Sequence, residues 1–548
     1  MTDTATLSPR QEAGLRAVTP HELREVLLAG GEWAVVDVRE GDGYVVGHIS
    51  VAVPLPRSEV EVRIAALVPR RSTPLFVTDD DGGREAQSVA GRLAQVGYTD
   101  VAYLAGGVTA WQAAAGYELV SGVNALSKAL GEFVERHYDT PKIGAEELKA
   151  KLDRGDDIVV LDTRPVPEFN HLAIPSGVGA PGAELLLRVF DAVPSPDTEI
   201  VVNCAGRTRA IIGAQALINA GVTNPIVSLE NGTAAWQFAG FEPARGSTEL
   251  LAAPSPAGLA RAIDAARRIR KRFGVTVATA EQVETWRGEA GSRTLYLFDV
   301  RTPEEHAAGH VRGARSVPGG QLVQATDLAV GVRNGRVVLV DDEDLVRSSI
   351  TASWLIQLGL DDVVVLGVPA DARTASGEPP REVLGDVPVP TVTAAELAAA
   401  LAAGDVTLLD VEPSLPYFLE RHYVAGSVVA RRTTLIDRPD TLATIGGGVG
   451  RIVVTSRDGD LARLAAADLA GVTSRPVAAL DGGTDAWIAA GNPVETGLDQ
   501  PSLVPSDALV GRPSLDAHKR QFADYVRWGD EIVAVLERDG LVQFRAFE

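Results

Sequence analysis

Ile200-Val201-Val202-Asn203-Cys204-Ala205-Gly206-Arg207-Thr208-Arg209, read together with the upstream run Val160-Leu161-Asp162-Thr163-Arg164, decides the fold of this chain, because each piece occurs four times. An apolar run ending in Asp-x-Arg or a relic of it stands at Val35–Arg39, Val160–Arg164, Leu297–Arg301 and Leu408–Glu412. A second apolar run closing on a polar loop stands at Leu75–Asp79, Ile200–Cys204, Val338–Asp342 and Ile452–Ser456. The first Asp precedes the loop position by 42, 42, 43 and 46 residues. A third run follows at Val101–Gly107, Ile226–Gly232, Val363–Gly367 and Val477–Gly483, with a tryptophan after three of the copies, Trp111, Trp236 and Trp487. Asp37 to Trp111 and Asp162 to Trp236 are both 74 residues. Self-similarity at a fixed period marks a tandem array of one structural unit.

Each first run follows a helical stretch such as Thr19–Leu27 or Thr393–Leu397, and each loop leads into an amphipathic segment. Short apolar strands alternating with helices predict an α/β fold, a mostly parallel sheet flanked by helices in each unit. The units are expected at 18–121, 141–247, 275–370 and 391–497, with a helical tail at 498–548. Residues 1–17 read as a further tail, and 371–390 as a plain Pro/Gly-rich acidic linker. The joint at 248–274 contains the basic amphipathic run Leu259–Arg272, read as a linker helix docked on a neighbour. Phe522–Leu536 reads as one helix packed on the body. Ligands in such sheets bind beyond the carboxyl ends of the strands, where the loops after the second run sit.

Composition agrees with this plan and removes several functions. The 548 residues correspond to about four domains at roughly 150 residues each. Lys and Arg total 51 against 73 Asp and Glu, a net charge of −22, which repels a phosphate backbone and argues against a nucleic-acid partner. The single cysteine excludes an intramolecular disulfide, a Cys-cluster zinc site and a four-Cys iron–sulfur site within one chain. The N-terminus carries no basic patch followed by an apolar core, and no run of eighteen apolar residues predicts a membrane span. A cytoplasmic enzyme or binding protein is expected.

The loops separate the units chemically. Unit two has Cys204 where the others have Asp79, Asp342 and Ser456. A lone cysteine after a buried strand is ordinarily an inert small hydrophobe. Here it lies between a strand and a helix expected from Ala210, where unpaired N–H groups and the helix dipole stabilise an anion by roughly 0.5–2 kcal/mol. With Arg207 and Arg209 nearby, a lowered thiol pKa is expected. Gly206 is read as permitting the tight curvature that turns N–H groups inward, and the arginines as a fork for an oxyanion. His48, His171, His310 and His422 (the last in the looser Arg421-His422-Tyr423) recur in units without cysteine and read as fold supports. The Asp-x-Arg pairs read as buried ion pairs tying the first strand to the next loop, with Arg164 able to face the pocket. The tryptophans read as core anchors. Unit one or unit three is expected to lend residues to the pocket, because ligand sites favour domain interfaces.

The pattern Asp162-Thr163-Arg164, Glu168-Phe169, His171, then Val201 to Arg209, then Leu229-Glu230-Asn231-Gly232 and Trp236, resembles a rhodanese domain. The resemblance covers about 450 residues as four tandem copies, strongest in the first three. It implies that Cys204 takes a sulfane sulfur from a donor, becomes a persulfide and passes the sulfur to a thiol or cyanide. The N–H groups of Ala205, Gly206, Arg207, Thr208 and Arg209 would cradle that sulfur, and Arg207 and Arg209 would bind the anionic donor. No metal or organic cofactor is implied. Four residues separate Cys204 from Arg209, one fewer than in the related phosphatases and arsenate reductases. The loop also lacks the Cys-Gly-x-Gly form of mercaptopyruvate-using members, which favours thiosulfate or a low-molecular-weight persulfide as donor. Units one, three and four are expected to be inactive. The rival reading is a non-catalytic scaffold or a relay of persulfide to a protein acceptor.

Overall fold

The computed structural model describes residues 14–114, 116–413, 422–444, 450–497, 500, 502–503 and 515–548. Arg421, most of the N-terminal tail and the segment 504–514 lie outside them.

Four five-stranded parallel sheets follow one another, each with the same spatial order of strands, first-fifth-fourth-second-third. In the second sheet these are Lys142–Ile143, Ile226–Leu229, Glu199–Asn203, Ile158–Asp162 and Val178–Gly179. Helices cover both faces, so the inner strands read as continuous apolar runs rather than alternating ones. Ile200, Val201 and Val202 are all fully buried. The strand before each loop is the middle one of its sheet, so the loop emerges at the centre of the carboxyl edge.

The ladders align the units residue by residue. Asp37 pairs with Thr78, Asp162 with Asn203, Asp299 with Val340 and Asp410 with Thr455. The next residues are Asp79, Cys204, Asp341 and Ser456. In unit three the expected Asp342 is therefore corrected to Asp341. The strand Arg336–Asp341 carries its pairing one residue further, to Gly367, which hides the loop position inside an apparent strand end.

The first three units share one hydrophobic core. Tyr296 of unit three donates its hydroxyl to the Leu67 carbonyl of unit one. The basic helix, Pro256–Phe273, starts on a Ser255 cap and ends at Gly274 in the left-handed region. It buries Ala262, Ala265, Ala266, Ile269 and Phe273 between the helices Glu184–Ala192 and Val346–Gln357, the linker role expected of it. Unit four has its own core and joins unit one through Arg432–Glu61 at 2.7 Å and Arg57–Asp437 at 2.7 Å. The segment 371–390 is more than a plain linker. Leu384 is buried and its N–H donates to the Glu61 carbonyl, while Glu382 pairs with Arg71.

Besides the basic helix, two more long helices connect or cover the units. The junction helix, Ala125–Tyr138, connects units one and two. The C-terminal helix, Leu515–Asp539, packs along it, with Ile532, Val533 and Leu536 against Ala125 and Ala129. Among the described residues, no helix is long and apolar enough to cross a membrane.

Candidate active site

The loop Cys204–Arg207 joins the central strand of unit two to the helix Thr208–Asn219. It is pinned from behind by the start of the helix Gly232–Phe238. Thr233 N–H donates to the Cys204 carbonyl at 2.9 Å and Ala234 N–H to the Ala205 carbonyl at 3.1 Å. Gly232 has φ +54°, and a Cβ there would lie 2.3 Å from the Cys204 carbonyl oxygen, so only glycine permits this approach. Asn203 completes the pin by donating to Asp162 at 2.7 Å and to the Thr233 hydroxyl at 3.1 Å.

Gly206 does not adopt the left-handed turn expected of it. Its φ lies outside the left-handed region, so no special curvature depends on it. A Cβ there would stand 3.4 Å from Phe522 of the C-terminal helix. That is an ordinary van der Waals contact, so a methyl group would pack against the ring rather than clash with it.

The backbone N–H groups of Gly206 and Ala210 point at the Cys204 sulfur. The sequence assigned the cradle to Ala205 through Arg209; Ala210, one residue beyond, takes part. In the other units a side-chain oxygen accepts the equivalent helix N–H. Asp79 accepts from Ala86 at 2.9 Å, Asp341 from Ser348 at 2.8 Å and Ser456 from Ala462 at 3.1 Å. Burial pushes the Asp341 carboxyl up to about 7.

Cys204 is only 2% exposed. Burial pushes its thiol up, against the opposing field of Arg209 and the N–H groups of Gly206 and Ala210. The expected lowering is thus reversed. The sequence reading counted the stabilising dipoles, while the loss of water around the sulfur is the larger effect.

The arginines are already occupied. Arg207 donates to both oxygens of Glu132 at 2.7 and 2.8 Å and to Glu135 at 2.5 Å, both carboxylates belonging to the junction helix. Arg209 makes a bidentate pair with Glu168 at 2.8 Å. Arg164 is buried on Asp162 at 2.6 Å and also donates to the Leu172 carbonyl. The corresponding Arg39 and Arg301 do the same on Asp37 and Asp299, and Arg39 reaches Asp80 in the next loop at 2.9 Å. The ion-pair reading of Asp-x-Arg is therefore what the fold contains.

Above the sulfur lies a cavity of about 350 Å³. Its floor is the loop, from Cys204 to Arg209, with Arg164 at the side. Leu172, Thr233, Ala234 and Gln237 of the same unit extend it, and the other walls come from elsewhere: Lys128 of the junction helix, Gln324 of unit three, and His518, Phe522 and Tyr525 of the C-terminal helix. Unit three does lend a residue, as expected; unit one supplies none of the described lining. The C-terminal contribution had no local signal in the sequence. His48 and His310 stack on Tyr44 and His306 and bond to their backbone carbonyls, away from this cavity. The tryptophans are buried, each indole N–H donating to a carbonyl at Glu118, Glu242 or Pro493.

A model of the rhodanese-like domain matches residues 19–114, 144–239 and 279–367, together about half of the chain. Over 97% of its length the chain is similar to a solved structure, the thiosulfate sulfurtransferase from Pseudomonas aeruginosa, at 40% identity and a TM-score of 0.87, covering all of that chain. Shorter likenesses link it to a probable adenylyltransferase/sulfurtransferase, MoeZ, of Mycobacterium tuberculosis, 32% identical over 103 residues, and to the uncharacterized protein YqhL of Bacillus subtilis, 35% identical over 74. These span 18% and 14% of the chain and only 26% and 56% of the respective relatives. The fourth sheet, outside the matched ranges, repeats the strand order of the other three. The chain belongs to the rhodanese family.

Proposed function

We propose that this protein is a sulfurtransferase in which Cys204 carries the sulfur. The Cys204 thiolate attacks the sulfane sulfur of thiosulfate, the sulfur–sulfur bond to the sulfonate breaks, and sulfite leaves with the bonding pair. Cyanide or a thiolate then attacks the terminal sulfur of the persulfide, releasing thiocyanate or a new persulfide and restoring the Cys204 thiolate. The two half-reactions balance without a redox partner, in keeping with the ping-pong logic of a covalent nucleophile. The N–H groups of Gly206 and Ala210 compensate the charge on sulfur at each stage. Units one, three and four are inactive in this reading, since Asp79, Asp341 and Ser456 fill their own cradles and an oxygen there cannot hold a transferable sulfur. The division into units at 18–121, 141–247, 275–370 and 391–497 belongs to the same proposal. A reducing, cytoplasmic setting suits a single thiol that must stay unpaired.

The observation that carries the reading is a lone thiol at the carboxyl end of a central parallel strand, under a cavity of about 350 Å³. Phe522 and Tyr525 of the C-terminal helix line the cavity beside Cys204 and narrow the approach to it, which favours a small acceptor over a protein one. Incubation with thiosulfate, followed by gel filtration and cold cyanolysis, tests it. One sulfane sulfur per chain on the wild type and none on Cys204→Ser is expected; sulfur retained by the variant, or none on either, overturns the reading.

A further inference from the structure

Among the described residues, four lysine or arginine side chains line the cavity: Lys128, Arg164, Arg207 and Arg209. The three arginines bring no surplus charge. Arg164 and Arg209 are each matched by one carboxylate, and Arg207 faces two, one of which it shares with Lys142. Their donors are also engaged, Arg207 adding Asn231 at 3.4 Å to its two glutamates. A doubly charged donor entering this cavity finds attraction in the loop N–H groups but no free guanidinium.

Lys128 is different. It makes no ion pair among the described residues, and its ammonium lies 5.4 Å from the ring centroids of both Tyr525 and Trp528. Those rings stack with centroids 5.7 Å apart, forming a two-ring rest for the cation. The aromatic faces position the charge without neutralising it. Burial draws the Lys128 pKa down, with Asp327 opposing, so an anion brought beside it restores a desolvated charge.

Resting on the sulfurtransferase reading, we infer that Lys128 is the donor-binding cation: its ammonium holds the sulfonate end of thiosulfate while the sulfane sulfur faces Cys204. The junction and C-terminal helices, both outside unit two, then determine that the donor is a small anion. Sulfite leaves along the same contact and competes for it.

The test uses the full chain with Lys128→Met, which keeps length and volume, and Lys128→Arg, which keeps charge. Lys128→Gln repeats the comparison if methionine disturbs the aromatic pair. Losing one charge-assisted contact raises the KM for thiosulfate by about ten- to hundredfold. The turnover number changes far less, and Lys128→Arg recovers most of the affinity. An unchanged KM in Lys128→Met overturns the inference, as does an equal loss in Lys128→Arg. If the wild type turns over no thiosulfate, the functional reading has failed, and sulfite binding by calorimetry on the Cys204→Ser background still decides the role of Lys128. Sulfite affinity lost with Lys128→Met supports it; equal affinity, or no sulfite binding at all, overturns it.

Discussion

At Cys204 two effects act on one sulfur atom in opposite directions. The N–H groups of Gly206 and Ala210 and the charge of Arg209 favour the thiolate, while complete burial favours the thiol, and burial is the larger. Since the nucleophile is the thiolate, its reactivity rises with pH until the pH passes the thiol pKa. An ordinary thiol titrates near pH ~8.5, and the Cys204 value lies on the alkaline side. Alkylation of Cys204 by iodoacetamide is therefore expected to climb about tenfold per pH unit through neutrality and past pH ~8.5. A rate already flat across that interval would show a depressed pKa and contradict the dominance of burial. Thr208 adds a detail at the same scale: its hydroxyl is buried on the cavity wall beside the Tyr525 hydroxyl, a polar link between the loop helix and the C-terminal helix.

At the scale of elements, the C-terminal helix is the roof of the site. Phe522 packs on Phe238 at 5.4 Å and on Tyr525 at 5.6 Å, directly above Gly206. Phe522→Ala removes that cover for a cost of about 1–3 kcal/mol, which a large core absorbs. Alkylation of Cys204 at fixed pH is expected to quicken severalfold in this variant, and an unchanged rate would mean that the helix does not limit access. The helix also shows where sequence reading stops. Ile200–Asn203 and its counterparts were legible because strands buried on both faces are unbroken apolar runs, and the Cys204 loop because one residue type differed among four copies. Phe522, Tyr525 and Trp528 recur at helical spacing and announce only a helix with an apolar face. Which surface that face meets depends on contacts across more than three hundred residues, and Lys128, which rests on Tyr525 and Trp528, is hidden in the same way. Asp341 was misplaced by one position because its strand continues through the loop position, a feature of pairing that no spacing reveals.

For the whole molecule, four copies of one sheet carry one thiol. Units one to three are fused through a common core, and a single buried guanidinium, Arg347 of unit three, faces Glu184 of unit two together with Glu305, Asp341 and Asp342. Such a cluster contributes little net stability but fixes orientation, because removing one partner leaves buried carboxylates uncompensated. That orientation brings Gln324 to the cavity wall, and the junction and C-terminal helices bring the rest. The central claim is that all sulfur transfer in this array passes through one residue. Thiocyanate formation from thiosulfate and cyanide, measured on the wild-type chain and on Cys204→Ser, tests it most directly. Steady turnover in the wild type and none in the folded variant is the predicted result; turnover surviving in Cys204→Ser would contradict it.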